Sequence, residues 1–191
     1  MKHLIYVHGF LSAPGSHKAT LTKQWLQQHH PEVTYHCPHL SPYPLETERQ
    51  LTELMSSLEG ETVGLIGSSL GGFWSTWLVE RYGVKAVLIN PSVRPFQLID
   101  SVVGETLDNY YTNDSYTMQP EHGEQLRERY QTHFSDPTRY RVLVQTGDET
   151  LDYRQAVERY VDCQVSVEEG GDHGFQGYDR HLPAIVDFLF H

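Results

Sequence analysis

Ser69 stands in Gly67-Ser68-Ser69-Leu70-Gly71-Gly72, a serine with a glycine two residues to either side. That spacing suits a nucleophile on a tight turn, because side chains at the flanking positions would collide where a strand and a helix pass closely. A serine hydroxyl is a weak nucleophile near neutral pH, so such a role needs a base within hydrogen-bond reach and a carboxylate to orient that base. Of the 12 histidines, His173 alone lies in a glycine-rich loop late in the chain, Gly170-Gly171-Asp172-His173-Gly174. For the carboxylate, Asp148 follows Gly147 directly after an apolar run, with Glu149 and Asp152 as rivals. Asp152 is also well placed to cap the helix that follows, and Asp172 to shape the histidine loop. The chemistry implied is acyl transfer, which further requires two convergent donors for an oxyanion. The backbone N–H of Leu70 is one candidate, and that of Phe10, in the loop His8-Gly9-Phe10, is the other. His8 itself is expected to brace that loop.

These residues can meet only if the elements before them share an edge. Val63, Leu65 and Ile66 predict a buried strand ending at Ser69, and Phe73, Trp74, Trp77 and Leu78 recur at helical spacing after it. Leu4 to Val7, Val33 to Cys37, Lys85 to Ile89, Arg141 to Thr146 and Cys163 to Val167 read as five further strands. Helical stripes lie between them: Leu21, Trp25 and Leu26 up to about His29; Leu51, Leu54, Met55 and Leu58; Tyr153, Ala156, Val157 and Tyr160; and Leu182, Ile185, Val186 and Leu189. Alternation of this kind predicts a parallel sheet with helices on both faces and an active edge at the strands' C-terminal ends. The stretch from Ser92 to Tyr140 shows no strand pattern. It is read as an inserted lid (residues 92–140) with helices around Phe96 to Val103 and Glu121 to Tyr130, because a structureless connection of that length is improbable in a compact domain.

At 191 residues, 38% of them hydrophobic, the chain fits one α/β domain over residues 1–191. The net charge of −11, with only 14 Lys and Arg, argues against a nucleic-acid partner. The first residues form a strand rather than an export signal, and no apolar run is long enough for a membrane span, so a cytoplasmic protein is expected. Its two cysteines, Cys37 and Cys163, read as reduced core thiols. His36, Cys37 and His39 crowd one strand end without a second cluster, so neither a metal nor any other cofactor is expected. Arg94 is a candidate for meeting an anionic part of a substrate or for a salt bridge within the lid. Trp74 is a candidate for the core or for the wall of an acyl pocket.

Taken together, His-Gly after the first strand, Gly-x-Ser-x-Gly-Gly at an elbow, Gly-Asp after a later strand and a glycine-flanked histidine before the last helix resemble the α/β-hydrolases. In detail, Asn90-Pro91-Ser92-Val93-Arg94-Pro95, Gly147-Asp148-Glu149-Thr150-Leu151-Asp152-Tyr153 and Gly171-Asp172-His173 are similar to the small bacterial YqiA-type esterases. The resemblance implies a serine esterase with triad Ser69, Asp148 and His173, acting on a small-molecule ester or thioester. It also implies a minimal six-stranded sheet in the order 2-1-3-4-5-6. A thioesterase, peptidase or acyltransferase would use the same machinery, and a binding protein could keep the fold without the chemistry. The acidic charge favours uncharged esters over a coenzyme A thioester unless local basic residues intervene.

Overall fold

The computed structural model describes residues 1–191. Its central sheet has six strands: β1 (Lys2–Val7), β2 (Val33–His36), β3 (Thr62–Ser68), β4 (Lys85–Ile89), β7 (Tyr140–Gln145) and β8 (Gln164–Glu168). They lie side by side as β2-β1-β3-β4-β7-β8, and every neighbouring pair is parallel. With the sheet strands counted in chain order, this is 2-1-3-4-5-6.

The sheet is buried on both faces, which is why β3 and β4 read as continuous apolar runs rather than as alternation. One face carries α1 (His17–His29) and α7 (Leu182–Phe190), whose Ala19, Leu26, Leu182, Ile185 and Leu189 pack against Leu4, Ile66 and Val87. The other carries α2 (Pro44–Ser57), α3 (Leu70–Tyr82) and α6 (Tyr153–Arg159) over Ile5, Leu65, Leu88 and Val142. Helix α3 is buried from Leu70 to Val79, so it is apolar all round rather than striped.

Between β4 and β7 the chain forms α4 (Pro95–Ser101), a hairpin of β5 (Thr106–Asp108) and β6 (Ser115–Thr117), and α5 (Pro120–Glu128). The two helices begin at prolines, which fit the first turn because no N–H is needed there. The hairpin has no counterpart in the sequence reading. Its strands are three residues each and largely polar, too short to display a period of two.

Cys37 follows β2 and Cys163 precedes β8, the two opposite edges of the sheet. With strands spaced about 4.8 Å apart, they lie far beyond disulfide reach. Burial pushes both thiols up to about 11. No helix is long and apolar enough to cross a membrane.

Candidate active site

Ser69 joins β3 to α3 with φ 55° and ψ −120°, a conformation that non-glycine residues avoid. Close packing enforces it: a Cβ on Gly67 would run into the Gly71 carbonyl, and one on Gly71 into the Val7 carbonyl. The Ser69 N–H donates to Ile89 O at 3.1 Å, and Ser69 O accepts from Ser92 N at 2.9 Å, which fastens the elbow to the end of β4. The hydroxyl is thereby held at the C-terminal edge of the sheet.

His173 Nε2 lies 3.2 Å from Ser69 Oγ, and His173 Nδ1 lies 3.0 and 2.9 Å from the two oxygens of Asp148. The Asp148 side chain is 2% exposed and that of His173 25%, so the carboxylate is shielded while the ring faces the cleft. Burial is the largest single influence on the Asp148 carboxyl and would raise it. The hydrogen bond to His173, the Leu151 N–H, the His173 charge and the Thr150 N–H together outweigh burial and hold the group below its usual value. Asp148 is therefore ionised wherever the imidazole works. Of its rivals, Glu149 accepts from the His173 backbone N–H at 3.0 Å, and Asp152 caps α6 by accepting from Arg154 N. Asp172 accepts from Gln176 Nε2 within the loop.

The loop after β1 runs directly beneath the serine. Gly9 lies so close that a Cβ there would stand 3.3 Å from Ser69 Cβ. His8 is 3% exposed, and its Nε2 accepts from Leu40 N at 2.9 Å. That bond fixes the tautomer, so Nδ1 carries the proton and donates to Gly9 O at 2.9 Å. Burial, opposed by the Gly9 bond and reinforced by His39, lowers His8 to about 4. A neutral ring thus braces the backbone that presents Phe10. The turn between β5 and β6 grips the same loop: Tyr110 N donates to Leu11 O at 2.9 Å, and Asn109 Nδ2 donates to Ser12 O at 3.1 Å.

A cavity of about 270 Å³ opens beside Ser69 and His173, bounded by the loop after β1, the start of α1 and the hairpin tyrosines Tyr110 and Tyr111. Trp74 does not reach it. That side chain is 1% exposed and packs edge-on against Phe73 and Trp77 in the core. Arg94 is exposed at the start of α4, outside the cavity lining and without an ion pair.

With this geometry, the chain can be set beside known proteins. The model of the family described as "Uncharacterised protein family (UPF0227)" matches residues 3–190. The chain belongs to the UPF0227 family. The UPF0227 protein VP0969 of Vibrio parahaemolyticus is 24% identical over 97% of this chain and 98% of its own length. A UPF0227 protein of Serratia proteamaculans is 26% identical over 97% of each. Among solved structures, mouse alpha/beta hydrolase domain-containing protein 10 superposes with a TM-score of 0.75 at 15% identity, covering 98% of this chain and 88% of that one. Est1E from Butyrivibrio proteoclasticus gives 0.70 at 13%, covering 98% and 86%. Monoacylglycerol lipase from Paleococcus ferrophilus gives 0.66 at 13%, covering 97% and 94%. At these identities the likeness is one of fold, and the fold is that of the α/β-hydrolases.

Two polar residues of this UPF0227 chain, Asn90 and Gln145, have roles that the sequence does not assign. Asn90, at the end of β4 with φ 41°, donates from Nδ2 to Asp172 O at 3.0 Å and His173 O at 3.2 Å, while its Oδ1 accepts from Gln145 N. Gln145, 2% exposed, accepts at Oε1 from Asp172 N and Gln176 N and donates from Nε2 to Gln176 O. Together they hold the histidine loop from both sides. An Asn-Pro or a glutamine at the end of an apolar strand is a faint signal: a polar residue where a fully buried strand meets the active edge.

Proposed function

We propose that this protein is a serine hydrolase that cleaves carboxylic esters or thioesters through an acyl-enzyme. The observation that carries the reading is the unbroken line from Ser69 Oγ to His173 Nε2 and from His173 Nδ1 to Asp148, at 3.2 and 2.9 Å, built around a serine held at φ 55°. A merely structural serine has no need of strained backbone and an imidazole aligned on a buried carboxylate.

Ser69 Oγ attacks the carbonyl carbon as His173 Nε2 takes its proton, and Asp148 steadies the imidazolium. The N–H groups of Leu70 and Phe10 receive the oxyanion. Collapse expels the alcohol or thiol, protonated by His173, and leaves the acyl group on Ser69. A water, deprotonated by His173, releases the acid and restores the serine. Residues 92–140 serve as the lid over this site, with the 109–114 turn closing the cavity against the loop after β1.

The test is hydrolysis of a series of 4-nitrophenyl esters and acyl thioesters by the wild type and Ser69→Ala. The wild type is expected to turn over short esters, with a loss in kcat of about 10⁴-fold or more in the variant. Equal rates in the two proteins would overturn the reading.

A further inference from the structure

The cavity beside Ser69 differs from the rest of the molecule in its charge. The chain carries 25 Asp and Glu against 14 Lys and Arg, yet no carboxylate lines this cavity. Its ionisable nitrogen groups are Lys18 and three histidines, His8, His17 and His173. Lys18 is half-buried and its ammonium makes one hydrogen bond, to Gly174 O at 3.0 Å, which leaves two of its three donors unused.

The wall beside Lys18 likewise carries no negative charge. Ser16 is 9% exposed and lines the cavity, and its hydroxyl makes no capping bond to α1 and none to any other protein group. The first turn of α1 contains no acidic residue, so the positive end of this 13-residue helix is open on the cavity side. A half-buried ammonium, an unpaired serine hydroxyl accessible from the cavity and an uncapped helix start facing one space form a receptor for negative charge.

We propose that this cavity receives an anionic group of the substrate, such as a carboxylate, carried on the acyl or the alcohol side of the scissile ester and held by Lys18, Ser16 and the start of α1. The inference rests on the hydrolase reading of Ser69 and goes beyond it by naming a substrate class. It reverses the preference for uncharged esters drawn from the net charge, because that preference held unless local basic residues intervene, and Lys18 is such a residue at the site. Burial pushes the Lys18 ammonium down from its ordinary range, while Asp172 and Asp148 pull it back up. An anion in the cavity would replace the solvation that burial removes. A volume of about 270 Å³ has room for a small charged group with a short tail.

Lys18 also touches the loop that carries His173, so a simple loss of activity on mutation would not separate recognition from positioning. The deciding readout is a ratio. Two matched ester pairs place the charge on either side of the carbonyl: 4-nitrophenyl hemiglutarate against 4-nitrophenyl pentanoate, and 3-carboxyphenyl butyrate against phenyl butyrate. In at least one pair the wild type should favour the charged ester in kcat/KM. Lys18→Met should lower that charged-to-neutral ratio by about tenfold or more, chiefly through KM, and Lys18→Arg should keep most of it. A wild type that prefers the neutral ester in both pairs, or a Lys18→Met variant that slows charged and neutral esters alike, would overturn the inference. Binding of monomethyl glutarate to Ser69→Ala, followed by calorimetry, separates the two levels. Binding that Lys18→Met abolishes, in a protein that hydrolyses none of the four esters, would keep the anion site and sink the hydrolase reading. No binding and no charge preference would sink the anion site alone if neutral esters are still cleaved.

Discussion

Asn90 reaches from the end of β4 to the carbonyl oxygens of Asp172 and His173, at 3.0 and 3.2 Å, and so ties the His173 loop to the strand beside β3, which leads into Ser69. The same side chain takes the N–H of Gln145 on the next strand. One amide therefore sets the spacing between the ends of β4, β7 and β8, and His173 inherits its position from it.

Asn90→Ala is expected to lower kcat by about ten- to a hundredfold while moving KM little, because the imidazole loses alignment and the cavity keeps its shape. Steady-state kinetics on a short ester check this. A KM effect with unchanged kcat would mean that Asn90 acts on the binding surface.

The two aspartates of the loop after β7 should separate cleanly. Asp148→Asn removes the charge that steadies the imidazolium and should cost about 10⁴-fold in kcat. Asp152→Ala removes the cap of α6 and should cost about 1 kcal/mol in stability with turnover retained. Kinetics and urea denaturation of both variants decide the matter. An inactive Asp152→Ala beside an active Asp148→Asn would reverse the assignment.

Much of this is legible in the amino-acid sequence, and the reason is local. The strands and helices of the sheet announce themselves by period, and Ser69, Asp148 and His173 each sit in a short glycine-marked turn directly after a strand. Their meeting follows from parallel topology, which brings the C-terminal ends of the strands to one edge. What was hidden depends on contacts between distant segments. Lys18 belongs to no motif, and it matters because α1 passes beneath a loop 156 residues further on. Asn90 and Gln145 stand at the ends of apolar runs and show their use only when β4, β7 and β8 lie side by side. Arg94 and Trp74 were singled out by residue type, but the direction in which α4 and α3 turn keeps both from the cavity.

His8 gives the fold a dependence on pH. In the unfolded chain its imidazole titrates near the ordinary value of about 6.5, while in the folded protein burial holds it neutral down to about 4. Between those limits the unfolded chain binds the extra proton. The contribution is therefore complete above about pH 6.5 and is lost as the pH falls toward 4, by about 3 kcal/mol in all. Urea denaturation at pH 7, 5.5 and 4.5 should show His8→Gln less stable at neutral pH and less sensitive to acid than the wild type. Parallel pH profiles for the two proteins would contradict the burial of a neutral ring.

The central claim is that His173 and Asp148 activate Ser69, and covalent labelling with a fluorophosphonate, read by intact mass and peptide mapping, tests it most directly. The wild type should gain one adduct, on Ser69. His173→Ala should label slowly, and Ser69→Ala should not label. A folded wild type that stays unmodified, or a Ser69→Ala variant that labels as fast as the wild type, would contradict it.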